Sequence, residues 1–467
     1  MELKGRVNKI AFFNILSTVI LQGITFFTSP IISRLLGTSN YGIASVYNTW
    51  VSLFAIIFGL QTQSSLAVAR NEFGKEEQNK YQSSILSLSI VTYITLSLIA
   101  LSLLEYISTW ISLSNTIIIL ALIQGFGQMV ITFVNVKFTY EFKAKQNFAI
   151  TLTLSLTTLV LSILLIKIMD NEINYIGRIL GLAIPYIIIG FILSNIIIIK
   201  GKTFYNKDYW KFCLRLSIPI IVHNISNLVL NQSDRVMLKH YLGNDFAGIY
   251  SLAYSFSAVL TALWTALNNT WVPFYYEYTR KREIEELKIH AHNYLELFTV
   301  LASGFVLLYF DVYHLFADKN FWHGTNLIVL FSIGFYFMFL YSFPVNYEFY
   351  NKKTKLIATG TILSAISNIL LNIFLIESMG IYGAAIATAI SYVVQFMFHY
   401  ISCKLIIKSS NSIYPFGIKM FFPYLFGFVF SILLSLVFTQ FIIIRWGLGI
   451  LIGLWELIQI KKRKSVF

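Results

Sequence analysis

Two stretches place a carboxylate between aromatic residues: YEFKAK at 140–145 and YEFYNK at 347–352. A doubled Glu in such a setting suits a catalytic carboxylate or an ion site. A second arrangement is a row at four-residue steps, His223, Asn227, Asn231, Arg235 and Lys239, with Asn224 and Asp234 beside it. Steps of four put side chains on one slowly drifting face of a helix. A third row, Tyr250, Tyr254, Ser257, Thr261, Trp264 and Asn268, alternates steps of four and three. A fourth comprises Asn14, Thr18, Gln22, Thr25 and Ser29. Rows of this kind either line a polar cavity or join helices through hydrogen bonds. Chemistry of the bond-breaking sort has no support: no nucleophile with its base, no paired carboxylates and no metal-ligand cluster is present. Cys213 and Cys403 lie far apart, without disulfide or metal spacing. No cofactor or metal is expected, and the chain is not read as an enzyme.

The elements that must carry these rows are membrane helices. Of 467 residues, 57% are hydrophobic and 12% charged, against about 25% charged in soluble domains. About 20 apolar residues cross a bilayer as a helix. Fourteen runs qualify, at roughly 9–34, 41–68, 82–104, 115–137, 147–168, 177–199, 213–238, 247–273, 289–314, 325–348, 355–376, 380–403, 416–438 and 441–460. The first run, preceded by Lys4, Arg6 and Lys9, is longer than a signal-peptide core and is followed by no small-residue cleavage site; it reads as a retained span. The net charge of +14 comes from cations in small groups between apolar runs, which fits the positive-inside rule and not nucleic acid binding. With the N-terminus inside, 28 of the 35 Lys and Arg fall in inner segments, and each inner segment holds at least three. That alternation predicts both termini in the cytoplasm, with the closing KKRK against the anionic inner leaflet. The mixed-charge segment 278–294 reads as a helical cytoplasmic connection, and Arg178 and Arg445 read as ordinary outer-loop residues.

The spans repeat. LGTSNYGIAS (36–45) matches LGNDFAGIYS (242–251), and GRILGLAIPY (177–186) matches GAAIATAISY (383–392), both at an offset of 206. The two YEF stretches match at 207. A fixed offset indicates internal duplication. Residues 1–206 and 207–412 are therefore expected to be two six-helix lobes, with spans 13 and 14 in 413–467 outside the repeat. An even number of spans makes the lobes parallel, related by an axis along the membrane normal, around a central cavity. The expected fold is all-α, a polytopic membrane protein.

The stretches SRLLGTSNYG, DRVMLKHYLGNDFAGIYSLAYSF, YEFYNKKTK and GIYGAAIATAISY, together with the two-lobe organisation, resemble the polysaccharide repeat-unit flippases of the Wzx type. These sit in the superfamily that also holds multidrug exporters and the lipid II flippase. The resemblance covers about the first 410 residues. It implies alternating-access transport of an undecaprenyl-diphosphate-linked oligosaccharide across the bacterial cytoplasmic membrane for a surface polymer such as O-antigen, capsule or exopolysaccharide. It further implies contact with membrane lipids, a proton or sodium counter-ion and a polysaccharide polymerase as partner.

On that reading the diphosphate candidates are Arg235, Arg34 and Arg215, since guanidinium forks suit phosphate oxygens; snorkelling at a span end accounts equally for Arg34 and Arg215. His223, Asn224, Asn227 and Asn231, with Asn14, Thr18 and Gln22, would line the cavity. Tyr250, Tyr254, Ser257, Thr261, Trp264 and Asn268 would meet sugar rings, or else form a packing stripe. Asp234 and Glu296, with His223, are candidates for ion coupling; Asp234 could instead pair with Arg235. Glu141 and Glu348 fall at inner span ends, where they would pin each lobe or act as an inner gate. The alternatives are a lipid II or teichoic-type precursor flippase and a multidrug cation antiporter. The basic lean of the intramembrane charges disfavours the last. A membrane polymerase or ligase would need a larger outer loop than any here.

Overall fold

A lipid environment leaves backbone groups no water to bond, so long apolar runs must satisfy themselves as helices. The computed structural model describes residues 2–74, 76–410 and 414–463, without the side chains of 2–22, Thr25 and 408–410. It consists of α1 (Glu2–Phe58), α2 (Leu66–Glu72), α3 (Gln78–Ser102), α4 (Leu104–Ile111), α5 (Asn115–Tyr140), α6 (Ala144–Ile168), α7 (Asn174–Gly201), α8 (Lys207–Leu242), α9 (Asn244–Ser257), α10 (Val259–Lys281), α11 (Ile284–Phe316), α12 (Leu327–Tyr350), α13 (Thr354–Met379), α14 (Ile381–Ser410), α15 (Phe422–Val437) and α16 (Ile442–Arg463), with short 3-10 turns between some of them. No strand occurs among the described residues. Thirteen segments among the described residues are long and apolar enough to cross a membrane. The sequence count of fourteen differs because runs 9–34 and 41–68 merge into α1 across Gly37, and only Phe26–Phe58 of it is counted. Large apolar side chains such as Phe191, Phe374 and Phe426 stand exposed on these helices, as a lipid-facing surface requires.

The chain divides into two compact units, Met1–Gly248 and Ile249–Phe467. In the first, one core gathers Tyr47, Val51, Ile118 and Leu122, and a second gathers Tyr81, Phe133, Tyr209 and Cys213. The second unit is built on aromatic stacks: Phe298 on Phe339 at 4.0 Å between ring centroids, Tyr336 on Phe428 at 4.3 Å, and Trp271 on Tyr294 at 5.1 Å. Such ring pairs add directional contact to area burial.

Three local features depart from the sequence expectation. The span expected over 41–68 stops at Phe58, and Leu60 and Gln61 turn into the left-handed region (φ 54° and 49°). Hydroxyls on α3 take up the freed carbonyls: Thr92 Oγ1 donates to Phe58 O and Ser89 Oγ to Gly59 O, each at 3.0 Å. A broken membrane helix survives only with such substitutes. Segment 278–294 is not one connecting helix, because Arg282 adopts φ 62° and turns α10 sharply into α11. Arg445 is no loop residue. It lies in the first turn of α16, fully buried, with Nη2 2.7 Å from Asp311 Oδ1 on α11 and Nη1 donating to Leu307 O.

Two glycines 206 residues apart share one unusual backbone: Gly37 at φ 72°, ψ 177° and Gly243 at φ 97°, ψ 176°. With a positive φ and an extended ψ, such a conformation is nearly closed to residues with a Cβ. Five residues on, Gly42 and Gly248 lie against each other. A Cβ on Gly42 would sit 2.0 Å from Asn244 O, and one on Gly248 would sit 2.0 Å from Thr38 O. Thr38 and Asn244 are themselves 206 apart, so the contact is reciprocal, and Thr38 Oγ1 donates a hydrogen bond to Asp245.

The YEF stretches behave differently. At the first corner Glu141 N, Phe142 N and Lys143 N bond to Lys137, Thr139 and Phe138 carbonyls; at the second, Asn351 N, Lys352 N and Lys353 N bond to Tyr347, Phe349 and Glu348. Phe142 and Lys352 both have φ 58°. The corners therefore correspond at an offset of 210, not 207. Glu348 stands in the place of Phe138, about one turn before its corner, and Asn351 stands in the place of Glu141.

Candidate functional site

The polar row of α8 begins above a capped helix start, where Asn206 Oδ1 accepts from the Asp208 and Tyr209 amides. His223, Asn224, Asn227, Asn231, Arg235 and Lys239 are all half-buried, so the row is neither a lipid face nor a closed core. Asn224 and Lys239 bond to other segments of the first unit, and Asn227 and Asn231 bond within α8. Asn224 Nδ2 donates to Gln61 Oε1 at 2.8 Å, and Gln63 Nε2 donates to the same oxygen at 2.8 Å. The break after Phe58 thus supplies the amide that orients α8. Asn227 Nδ2 lies 3.0 Å from His223 Nε2, and Asn231 Nδ2 donates to Asn227 O at 2.6 Å. Lys239 Nζ donates to Ser112 O at 2.6 Å. Asp234 is buried, 1% exposed. Asn224, by its bond to Gln61, takes part in the helix-joining bonds that the sequence offered as the alternative to cavity lining.

The row on the next span splits in two. Tyr250, Tyr254 and Ser257 on α9 are buried. Tyr250 and Tyr254 lie edge-on to Phe331 at 5.0 and 5.2 Å, and Tyr250 Oη is 3.2 Å from Thr388 Oγ1. In this conformation they form a packing stripe. Thr261, Trp264 and Asn268 on α10 are half-buried, with Trp264 6.5 Å from Tyr341 and Asn268 Oδ1 accepting from Asn346 Nδ2 at 3.4 Å. Arg34 and Arg215 are exposed. Asn14, Thr18, Gln22 and Thr25 lie in α1, and their side chains are outside the described residues.

The acidic candidates are dispersed. Glu296 on α11 pairs with Arg463 on α16. Glu348 lies in the last turn of α12, fully buried, with its Oε2 2.8 Å from His399 Nδ1. Glu141 stands at a turn, with Oε2 2.5 Å from Lys143 Nζ and Oε1 accepting from Gln82 Nε2 at 3.0 Å. Burial raises its carboxyl, but the hydrogen bonds from Lys143 and Gln82 and the charges of Lys137 and Lys143 outweigh it and hold the group below the usual carboxylate range.

Arg178 was missed. It sits in α7, half-buried, donating from Nη1 to Ser162 Oγ at 2.9 Å. With Gln128, Asn135, Ser155, Thr158 and Tyr186 it lines a cavity of about 360 Å³ within the first unit. The legible signal was the hydroxyl series Thr151, Ser155, Thr158 on α6 at helical spacing. With the row on α8, the first unit presents amides, hydroxyls and guanidinium groups within helices otherwise fit for lipid.

Residues 7–279 match the model of a family described as polysaccharide biosynthesis protein. The chain is 24% identical over 354 residues to a Haemophilus influenzae protein named Lsg locus putative protein 1, covering 73% of this chain and 84% of that one. It is 23% identical over 198 residues to the probable low-salt glycan biosynthesis flippase Agl15 of Haloferax volcanii, covering 41% and 42%. Among solved structures, the lipid II flippase MurJ in an inward closed conformation is similar with a TM-score of 0.77 and 17% identity, over 97% of this chain and all of that one. That likeness establishes the fold.

Proposed function

Because the chain belongs to the polysaccharide biosynthesis protein family, we propose that it is a flippase that carries an undecaprenyl-diphosphate-linked oligosaccharide across the bacterial cytoplasmic membrane by alternating access. The observation that carries this reading is the half-buried row His223–Asn227–Asn231–Arg235–Lys239 on a membrane helix. Charge inside a span is costly, about 3 kcal/mol per residue on insertion scales. A row whose formal charges are cationic suits an anionic cargo rather than a cationic drug. Arg235 offers two parallel donors to phosphate oxygens, the amides of the row take sugar hydroxyls, and the lipid tail stays in the bilayer. The fold shared with MurJ and the glycan-flippase name of one relative support the same class.

In this reading both termini are cytoplasmic, and residues 1–206 and 207–412 are duplicated lobes, supported by the matched backbone of Gly37 and Gly243. Asp234 is the candidate for a coupling proton or sodium ion. Glu141 pins the inner end of the first lobe.

Arg235→Ala is expected to reduce surface polysaccharide at least tenfold while the protein stays in the membrane at normal level; unchanged polymer output would remove Arg235 from the diphosphate site. Lipid extraction after gene deletion tests the class. Lipid-linked oligosaccharide accumulating on the inner leaflet is expected, and accumulated drug would point to an exporter.

A further inference from the structure

Around the first corner four cations converge from separate elements. Arg70 ends α2, Lys137 ends α5, Lys143 follows the turn and Lys200 ends α7. With Gln82 and Glu141 they line a pocket of about 300 Å³ within the first unit. One carboxylate faces four cations, so the lining carries a formal charge of +3. Arg70 Nη1 donates to Tyr140 O, the last carbonyl of α5, and Lys137 and Lys200 stand in the last turns of α5 and α7, where positive charge is favoured, whereas Lys143 caps the start of α6, where it is not. Helix capping does not account for the cluster, however. Glu141 is within hydrogen-bond distance of Lys143 but 3.9 Å from Lys137 Nζ, and the Lys137 side chain is only 9% exposed. Holding a buried ammonium beside two more lysines at a span end is unfavourable unless an anion enters.

We propose that this pocket binds a phosphate group carried by a lipid. Its cations come from separate elements and line one space, which suits the several oxygens of a phosphate. Basic pockets between membrane helices recognise lipid head groups in this way. The chemistry is shared by a glycerophospholipid head group and by an isoprenyl diphosphate. The site lies apart from the α8 row, and its existence does not depend on the flippase reading. A deletion strain with normal polymer would sink that reading and leave this binding untouched.

The test uses the purified full chain in a neutral detergent, titrated with short-chain phosphatidylglycerol, farnesyl diphosphate, inorganic phosphate and, as control, short-chain phosphatidylcholine. At least one anionic lipid is expected to bind at least tenfold more tightly than phosphatidylcholine, with inorganic phosphate competing. Stronger binding of phosphatidylglycerol assigns the site to a membrane lipid, and stronger binding of farnesyl diphosphate assigns it to a polyprenyl cargo. Lys143→Gln/Lys200→Gln alters side chains that stand partly or largely in the open and is expected to weaken binding at least tenfold. Lys137→Arg, which keeps the charge, is expected to retain it. Equal binding of anionic and zwitterionic lipids, or unchanged affinity in the double variant at normal gel-filtration behaviour, would overturn the proposal.

Discussion

The corner at residues 140–143 and the corner at residues 350–353 turn the chain through the same three hydrogen bonds and the same left-handed residue, yet each neighbourhood places its glutamate differently. At the first, Glu141 sits on the turn among Lys137, Lys143 and Gln82, bordering an open pocket. At the second, Glu348 lies about one turn inside α12, sealed against His399 with no exposure on either side chain. Backbone geometry at a helix end is set by local sterics and hydrogen bonds, which many sequences satisfy. The polar chemistry depends on what the neighbouring helices contribute, and there the two corners diverge.

The largest expected effect comes from breaking the sealed pair. Glu348→Ala strands a buried imidazole and should lower unfolding free energy by about 3 kcal/mol, read from denaturation in detergent micelles. A loss as small as that of Glu141→Ala would erase the contrast. Next, if the two turns are truly equivalent, Phe142→Gly and Lys352→Gly should each stabilise, by similar amounts of up to about 1 kcal/mol, because both positions pay for a left-handed Cβ. Opposite signs would show that only one turn is strained. Smallest is Glu141→Ala itself, expected to cost under about 1 kcal/mol as a partly solvated pair. Its carboxyl is depressed in the folded protein, so its contribution is present above the ordinary carboxylate range, near pH 4.3, and fades as pH falls below it. The variant should therefore show a flatter acid limb than the parent in the same denaturation assay; an identical limb would remove Glu141 as its source.

Helices, and the number of spans to within one among the described residues, were legible in the sequence because lipid permits few backbones; the motif match paired Gly37 with Gly243 at 206 but not the positive φ they share, which only the backbone shows. The YEF match was misleading for a related reason. Sequence identity at offset 207 is four residues deep, while the turn itself is indifferent to which side chains it carries, so hydrogen bonding sets the register at 210. The break after Phe58 was hidden because its compensation lies on another helix, in Ser89 and Thr92. Arg178 and Arg445 were misplaced because a charge near the start of runs 177–199 and 441–460 was assigned to the outer loop, whereas a guanidinium with Ser162 or Asp311 to receive it can sit within the helix. The α8 row was the readable part of the candidate site, since four-residue steps survive without knowledge of neighbours. Whether each amide faces cargo or a partner helix depends on contacts such as Asn224 to Gln61.

The crossing of Gly42 and Gly248 carries one more implication. Each glycine is confined by a carbonyl from the other's segment, so neither position is free to drift alone. A methyl group gained at one is blocked by the chain around the other, whatever happens elsewhere. Two sites more than two hundred codons apart are thereby tied into a single heritable constraint, and a random-mutagenesis library should return glycine at both or a non-functional chain.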